Sequence, residues 1–146
     1  MGGPPELHVR AFGPADQPRV LELWEQCELV VPWNDPVRDI ETKIAFQPEL
    51  FLVGELAGRV AASVMAGYEG HRGWINYLAV APEQRGLGLG RRMMEAAEAK
   101  LAKLGCPKIN LQVRASNPDV IEFYKGLGFQ VDDVVSLGKR LDGIEY

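Results

Sequence analysis

The first half of the chain shows two different spacings of apolar residues. From Leu7 to Phe12 apolar and polar residues alternate, which predicts a short strand. After Pro14 the apolar residues recur every three or four positions, which predicts a helix. These residues are Val20, Leu23, Trp24 and Cys27. A second, shorter helix is predicted from Val37 to about Phe46, after the interruption Pro-Trp-Asn-Asp-Pro.

The middle of the chain predicts three consecutive strands. Residues 51–56 and 59–68 are rich in apolar residues and are separated by the turn Ala57-Gly58. A second turn, at residues 69–73, precedes the apolar strand at residues 74–80. Because short turns join antiparallel neighbours, these strands predict an antiparallel meander.

Two more helices and two or three more strands are predicted in the rest of the chain. The first helix follows the glycines at residues 86–90 and ends at Gly105. Its apolar face consists of Met94, Ala97, Leu101 and Leu104. Residues 109–113 alternate and predict a strand, and Asn117-Pro118 predicts the start of the second helix. One or two final strands are predicted between Phe129 and Leu141.

The order of these elements predicts an α+β fold with a mixed sheet. The chain has 146 residues, of which 47% are hydrophobic and 25% charged, as is typical of a globular protein. We therefore expect a single domain over residues 1–146, with Met1–Pro5 as a frayed end.

Charge and cysteine content narrow the class of protein. The net charge of -4 predicts no nucleic-acid partner. No apolar run approaches the ~20 residues of a membrane span, and no signal peptide is evident, so no membrane partner is expected. Cys27 and Cys106 lack the spacing of a metal site or of a disulfide framework. These features predict reduced thiols, no metal and a cytoplasmic location.

Three glycines at alternate positions, in the sequence RGLGLGR at residues 85–91, separate an apolar strand from a helix. Two phosphate-binding patterns are excluded by spacing. The Rossmann pattern would require glycine at position 91 or 93, where arginine and methionine stand, and the P-loop requires Lys-Ser or Lys-Thr, which the chain lacks. Glycines still allow backbone N–H groups to converge on an anion at a helix N-terminus, and Arg85, Arg91 and Arg92 add positive charge. The alternatives are a pyrophosphate site and an exposed glycine loop that only caps the helix.

Two longer motifs resemble signatures of the GNAT superfamily of N-acetyltransferases. Residues 78–90, LAVAPEQRGLGLG, resemble the acetyl-CoA-binding motif R/Q-x-x-G-x-G/A, and residues 117–129, NPDVIEFYKGLGF, resemble the second signature. The stretches PWNDP, GYEGHRG and SLGKRL are most similar to one group of bacterial acetyltransferases. The resemblance implies the GNAT fold over essentially the whole chain. That fold is a mixed, mostly antiparallel sheet of six to seven strands flanked by about four helices.

The resemblance also implies an acetyl-CoA-dependent enzyme that acetylates a primary amine. Acetyl-CoA would be the co-substrate, its pyrophosphate held by the amides of residues 85–90 and its pantetheine arm paired with the strand at residues 78–80. A backbone N–H near Leu78 would face the developing oxyanion. The residues implied in binding acetyl-CoA are Leu78, Ala79, Val80, Arg85, Gly86, Leu87, Gly88, Leu89, Gly90, Arg91, Asn117 and Tyr124.

Two residues of the second signature have both a functional and a structural interpretation. The resemblance implies that Tyr124 is the general acid that protonates the leaving thiolate; the alternative is a core aromatic residue. Asn117 lies two helical turns earlier, so it shares a helix face with Tyr124 and would contact the co-substrate. Its alternative is a simple N-cap.

The amine must also lose a proton, because a lysine-like amine has a pKa of about 10.4. Glu69 is the candidate base, acting directly or through water; its alternative is a solvated turn carboxylate, and ordered water without a dedicated base is a third possibility. For the acceptor site the candidates are Trp33, Asp35 and Asn76, since the loop between the first two helices borders that site in the family. Asp35 would attract a cationic amine, or would only cap a helix.

Two other classes of function are weighed against the enzyme. One is a non-catalytic module that binds and senses acyl-CoA, and the other is an interaction domain whose glycine loop binds nothing. The acceptor is expected to be a small-molecule or peptide amine that the sequence does not specify. Homodimers are common in the family, so a homodimer is the oligomer to test for.

Overall fold

The computed structural model describes residues 6–145 and divides into two compact units, one ending at Leu111 and one beginning at Gln112. The expectation for Met1–Pro5 lies outside the described residues. The motif at residues 78–90 belongs to the first unit, and the motif at residues 117–129 belongs to the second.

The first unit contains a mixed five-stranded sheet in the order β1-β2-β3-β4-β5. The first four strands are antiparallel neighbours, and β5 runs parallel to β4. The strands are β1 (Leu7–Ala11), β2 (Phe51–Leu56), β3 (Arg59–Tyr68), β4 (Gly73–Val80) and β5 (Ile109–Asn110). The predicted meander corresponds to β2, β3 and β4.

Four α-helices accompany the sheet within the described residues, as expected. They are α1 (Gln17–Gln26), α2 (Pro36–Ala45) and α3 (Leu89–Lys103) in the first unit and α4 (Pro118–Gly126) in the second. Short 3-10 turns at Pro14–Asp16, Pro48–Leu50 and Pro82–Gln84 each begin with proline, whose fixed φ suits the first helical position. No helix within residues 6–145 is long and apolar enough to cross a membrane.

The apolar stripe of α1 packs on one face of the sheet. Val20, Leu23 and Trp24 are fully buried and belong to a cluster with Phe51 and Val53 of β2. Burial of each such side chain contributes about 1.5–3 kcal/mol relative to exposure, which is the main reason that this helix forms here.

Helix α3 packs on the other face of the sheet, and Gly54 makes this possible. In β2, Gly54 alternates with Val53 and so points away from the α1 cluster. A Cβ on Gly54 would lie 2.9 Å from both Met93 Sδ and Leu7 Cδ1. The sheet is therefore held between α1 and α3, with the start of α3 fixed on β2.

The predicted strand count was wrong, although the α+β class with a mixed sheet is confirmed. Five strands form within residues 6–145 instead of six or seven. The strand predicted at residues 109–113 is limited to Ile109–Asn110, and no strand forms between Phe129 and Leu141. In that segment Asp132 and Asp133 interrupt the alternation, and the backbone finds no pairing partner among the described residues. Its valines are exposed: Val131 at 77%, Val134 at 75% and Val135 at 83%.

Candidate active site

One edge of β4 is open along most of its length. Strand β5 pairs with β4 only through Gly73 with Ile109 and Trp74 with Asn110. At the point where this pairing ends, the side-chain oxygen Oδ1 of Asn110 is buried and has no hydrogen-bond partner among the described residues. Among residues 6–145, no strand pairs with the backbone of β4 after Trp74 on the β5 side.

The backbone groups of Leu78 and Val80 point toward this open edge. The N–H of Ala81 donates to the carbonyl of Ala61 on β3 at 2.8 Å. Since N–H and C=O groups alternate in direction along a strand, those of Val80 and Leu78 face away from β3. An extended ligand could add to β4 here as a strand would.

A β-bulge interrupts β4 just before Leu78. Met65 pairs with Asn76 and Ser63 with Ala79, so that one residue of β3 opposes both Tyr77 and Leu78. Tyr77 has a φ of +52°, which is unfavourable for a residue with a side chain and costs on the order of 1 kcal/mol. The bulge changes the direction of the backbone at the residue expected to contact the oxyanion.

Three side chains from three elements surround the bulge: Trp24 of α1, Asp39 of α2 and Ser63 of β3. The indole N–H of Trp24 donates to Ser63 Oγ at 2.9 Å, and that hydroxyl donates to the carbonyl of Tyr77 at 2.8 Å. The ring of Tyr77 stacks on Trp24 with a centroid distance of 3.8 Å, and its hydroxyl donates to Asp39 Oδ2 at 2.5 Å. Burial, followed by this hydrogen bond and the charges of Asp39 and Asp35, raises the pKa of Tyr77, so its hydroxyl stays protonated.

The glycine loop connects β4 to α3 and adopts left-handed backbone conformations. Gly86 and Gly88 have φ of +86° and +77°, and Gly88 is the N-cap of α3. A Cβ at either position would meet nothing within 4 Å among the described residues, so backbone conformation and not packing requires glycine.

The N-terminus of α3 fits an anion. No side chain among the described residues caps it, and its first turn contains no acidic residue, while Arg91 and Arg92 follow directly. The first N–H groups of a helix lack intrahelical partners and carry partial positive charge. Together with the left-handed glycines, they form the type of backbone concavity that binds phosphate groups.

Cys27, which the sequence did not single out for the site, connects β4 and the glycine loop. Its Sγ donates to the carbonyl of Val80 at 3.2 Å and accepts a long contact of 3.7 Å from Arg85 Nη2. The thiol therefore lies at the junction of two segments assigned to acetyl-CoA. No local sequence signal indicates this, because 53 residues separate Cys27 from Val80.

In the second unit, the two residues of the later motif occupy α4 as predicted. Asn117 is the N-cap residue of α4, yet no side-chain hydrogen bond caps the helix among the described residues. Tyr124 is buried and contacts Phe123 and Phe129 edge-on, with centroid distances of 5.1 and 5.6 Å. Burial raises the pKa of Tyr124 to about 12, so its hydroxyl carries a proton at neutral pH.

Glu69 lies in the turn before β4, where its carboxylate has a structural partner. It accepts hydrogen bonds from the backbone N–H of Arg72 and, at 2.9 Å, from that of His71. These bonds lower the pKa of Glu69, that from Arg72 most, although the group is exposed to solvent. At about 3.3 Å per residue, the turn is roughly 15 Å from Leu78 along β4. On this estimate, a proton that passes between Glu69 and a group beside Leu78 would travel through water.

The acceptor candidates all lie on the first unit. Asp35 is exposed and caps α2, since its Oδ1 accepts from the N–H of Arg38 at 3.1 Å. Trp33 is half-buried in the preceding loop, and Asn76 is exposed on β4 beside the bulge. The helix-cap interpretation of Asp35 is thus realised, while its charge still acts on Tyr77.

No group of three or more histidine, cysteine, aspartate or glutamate side chains within residues 6–145 could hold a metal ion. Both Cys27 and Cys106 are free thiols.

The comparisons with known proteins agree with this fold. The profile of the Acetyltransferase (GNAT) family matches residues 18–129. Acetyltransferase YE1169 of Yersinia enterocolitica is 47% identical over 135 residues, covering 92% of this chain and 96% of that protein. The α+β fold and these matches define an acyltransferase enzyme. The chain belongs to the GNAT family of acetyltransferases, and the resemblance of its two motifs is confirmed.

Two solved structures show the same fold. The ribosomal-protein-S18-alanine N-acetyltransferase from Escherichia coli is 25% identical with a TM-score of 0.70, covering 86% of this chain and 78% of that one. N-acetylglutamate synthase from Neisseria gonorrhoeae, solved with coenzyme A and N-acetyl-glutamate, has 16% identity and a TM-score of 0.65. The match covers 81% of this chain and 28% of that one.

Proposed function

We propose that this acetyltransferase transfers the acetyl group of acetyl-CoA directly to a primary amine of a small molecule or peptide. One observation carries the proposal: an open, bulged edge of β4 leads directly into a left-handed glycine loop at the uncapped start of α3. An extended arm can pair with such an edge, and a diphosphate fits such a loop.

In this proposal backbone groups bind most of acetyl-CoA. The amides of residues 85–90 hold the pyrophosphate, and Arg85 and Arg91 add positive charge beside it. The pantetheine amides pair with the N–H and C=O groups of Val80 and with the C=O of Leu78, with the buried Ala79 between them, so that the N–H of Leu78 stays available for the thioester. Leu87 and Leu89 contribute backbone N–H groups on either side of Gly88, while the side chain of Leu89 is anchored in the core.

The transfer step then requires three groups. The amine nitrogen attacks the thioester carbonyl carbon, and the N–H of Leu78 stabilises the negative charge that develops on its oxygen. The carbon–sulfur bond breaks, and the thiolate takes a proton from the hydroxyl of Tyr124. Asn117 contacts the co-substrate from the start of α4. Tyr124 is protonated at neutral pH, as a tyrosine of ordinary pKa would also be, so it has a proton to donate in this step.

The acceptor and its proton are assigned to the first unit. Asp35, with Trp33 and Asn76, is proposed to attract and position a cationic amine. Ordered water is proposed to carry the amine proton away. Glu69 is the candidate group that would accept this proton from the water. The lowered pKa of Glu69 and its two backbone hydrogen bonds favour a structural role in the turn, so Glu69→Gln should change turnover little. Because Asp35 is proposed to attract the cationic amine, Asp35→Asn should raise the KM for the amine.

An acceptor screen tests the function. Purified protein is mixed with acetyl-CoA and a panel of primary amines that includes polyamines, amino sugars, lysine and short peptides, and release of the CoA thiol is followed. Amine-dependent thiol release with stoichiometric acetylated product supports the proposal. Tight acetyl-CoA binding with no release for any amine class would favour the second candidate, a non-catalytic acyl-CoA sensor. The presence of Tyr124 together with both signatures is the observation that favours the enzyme.

A further inference from the structure

The left-handed residue in β4 is a tyrosine, where a glycine would adopt the same conformation without strain. Tyr77 has a φ of +52° and directly precedes Leu78, whose N–H is assigned to the oxyanion. A residue in such a conformation persists only where its surroundings hold it there, and such residues concentrate at functional sites. The surroundings of Tyr77 therefore bear on how the N–H of Leu78 is aimed.

Tyr77 is held at both its backbone and its side chain. Its carbonyl accepts a hydrogen bond of 2.8 Å from Ser63, whose hydroxyl in turn accepts one of 2.9 Å from Trp24. Both Ser63 and Trp24 have no exposed surface. The hydroxyl of Tyr77 reaches Asp39 on α2 at 2.5 Å, and its ring stacks on Trp24.

Packing alone does not explain why a hydroxyl group is buried at position 63. It sits among apolar side chains on β3, where alanine or valine would bury more favourably than a hydroxyl group. Its two bonds connect the indole of Trp24 to the carbonyl of the one strained residue in β4. The same indole stacks on the ring of Tyr77. Trp24 therefore supports both the backbone carbonyl of Tyr77, through Ser63, and its side chain.

We propose that Trp24, Ser63 and Asp39 are positioning residues that hold Tyr77 in its left-handed conformation and thereby aim the Leu78 N–H at the thioester carbonyl. This proposal rests on the proposed function, because it takes Leu78 as the oxyanion donor. It adds that α1, α2 and β3 jointly set the geometry of a backbone group that none of their side chains touches.

Polarisation of the bound thioester tests this proposal without any acceptor. Acetyl-CoA labelled with ¹³C at the acetyl carbonyl is bound to the protein, and the infrared band of that carbonyl is compared with the band of free acetyl-CoA. A well-aimed N–H weakens the C=O bond and shifts the band of the wild-type complex to lower frequency. In Ser63→Ala and Tyr77→Phe we expect most of this shift to be lost, while the Kd changes by less than about threefold.

Four further variants separate positioning from general damage. Asp39→Asn retains an oxygen that can accept the Tyr77 hydroxyl, so it should keep more of the shift than Asp39→Ala. Tyr77→Phe combined with Asp39→Ala should lose no more than either change alone, because both break the same bond. Tyr68→Phe removes a tyrosine hydroxyl from the neighbouring strand β3, where it contacts the carbonyl of Gly70, and should leave the shift unchanged.

Each result decides the question. An unchanged band in Tyr77→Phe and Asp39→Ala, with acetyl-CoA bound, would overturn the positioning role and leave the proposed function intact. The same would follow if Tyr68→Phe lost as much of the shift. Failure of the wild-type protein to bind acetyl-CoA would remove the proposed function and this inference together. If Ser63→Ala fails to fold, the half-buried pair Tyr77 and Asp39 still provides the test.

Discussion

The thiol of Cys27, at the end of α1, donates a 3.2 Å hydrogen bond to the backbone carbonyl of Val80, at the end of β4. It also lies 3.7 Å from Arg85 Nη2 at the start of the glycine loop. Both partners of this thiol are proposed to bind acetyl-CoA, so the reactivity of the thiol would report on whether the site is occupied.

Bound acetyl-CoA should therefore protect Cys27 from alkylation. We expect saturating acetyl-CoA to slow iodoacetamide labelling of Cys27 at least about tenfold, because the ligand covers Val80 and Arg85. Cys106 is the internal control, since it is also a half-buried free thiol and its Sγ contacts the carbonyl of Lys108. Mass spectrometry of the two peptides measures both rates. Equal protection of both thiols, or of neither, would contradict the assigned site.

The glycine loop can be tested with a pair of matched substitutions. Gly88 and Gly58 have nearly the same φ, +77° and +80°, and a Cβ at either meets nothing within 4 Å among the described residues. Each change to alanine should cost about 1 kcal/mol of folding stability through backbone strain. Only Gly88→Ala should also weaken coenzyme A binding, by about tenfold or more, since it alone disturbs the proposed anion site.

Calorimetry and urea denaturation of the two variants provide these measurements. A Gly58→Ala variant that lost coenzyme A affinity equally would indicate a general effect on the fold. A Gly88→Ala variant that bound coenzyme A normally would exclude the loop from the site.

Tyr124→Phe should lower turnover and leave co-substrate binding intact. Loss of a general acid typically costs about 10²–10⁴-fold in rate, whereas the ring retains its contacts with Phe123 and Phe129. Turnover is followed by thiol release and binding by calorimetry, with Tyr68→Phe as the matched variant. Equal loss of binding and turnover would assign Tyr124 to packing.

The same substitution should change how stability depends on pH. Burial raises the pKa of Tyr124 from 10.0 to about 12, so the folded protein holds the phenolic proton more tightly than the unfolded chain. The contribution of this proton to the free energy of unfolding is fully present below pH 10. It is lost as pH rises from 10 to 12, and the loss amounts to up to about 2 kcal/mol. Urea unfolding at pH 8 and pH 11 should show a larger loss for wild type than for Tyr124→Phe. Identical losses would mean that Tyr124 is not desolvated.

The packing of α3 on the sheet has its own matched test. A Cβ on Gly54 would lie 2.9 Å from Met93 Sδ and Leu7 Cδ1, whereas one on Gly67 would be no closer than 3.6 Å to its nearest atom, Lys43 Nζ. Gly54→Ala should therefore destabilise the protein by about 1–3 kcal/mol more than Gly67→Ala. Thermal unfolding of both variants measures the difference, and equal stability would place α3 elsewhere.

Local patterns in the sequence predicted most of the first unit. Strands β2 and β3 have the predicted bounds because an apolar run and the Ala57-Gly58 turn both specify them locally. The two GNAT signatures likewise lie on the predicted elements, at the start of α3 and on α4.

Features that depend on distant partners were not predictable in this way. Tyr77 fits a strand pattern, and nothing nearby in sequence indicates a left-handed φ, which depends on Trp24, Ser63 and Asp39. One or two strands were predicted between Phe129 and Leu141, but a strand forms only where another backbone pairs with it. Local propensity could not reveal that no such partner is present in the described part of the chain.

Titration calorimetry with coenzyme A is the most direct test of the central claim, that backbone amides at the start of α3 bind the diphosphate. It is performed at two temperatures so that a vanishing enthalpy at one of them does not hide binding. Pantetheine, which lacks the diphosphate, is the matched ligand. We predict one coenzyme A bound per chain, with pantetheine binding at least about a hundredfold more weakly. Absence of heat with coenzyme A at both temperatures, or equal affinity for pantetheine, would contradict the account.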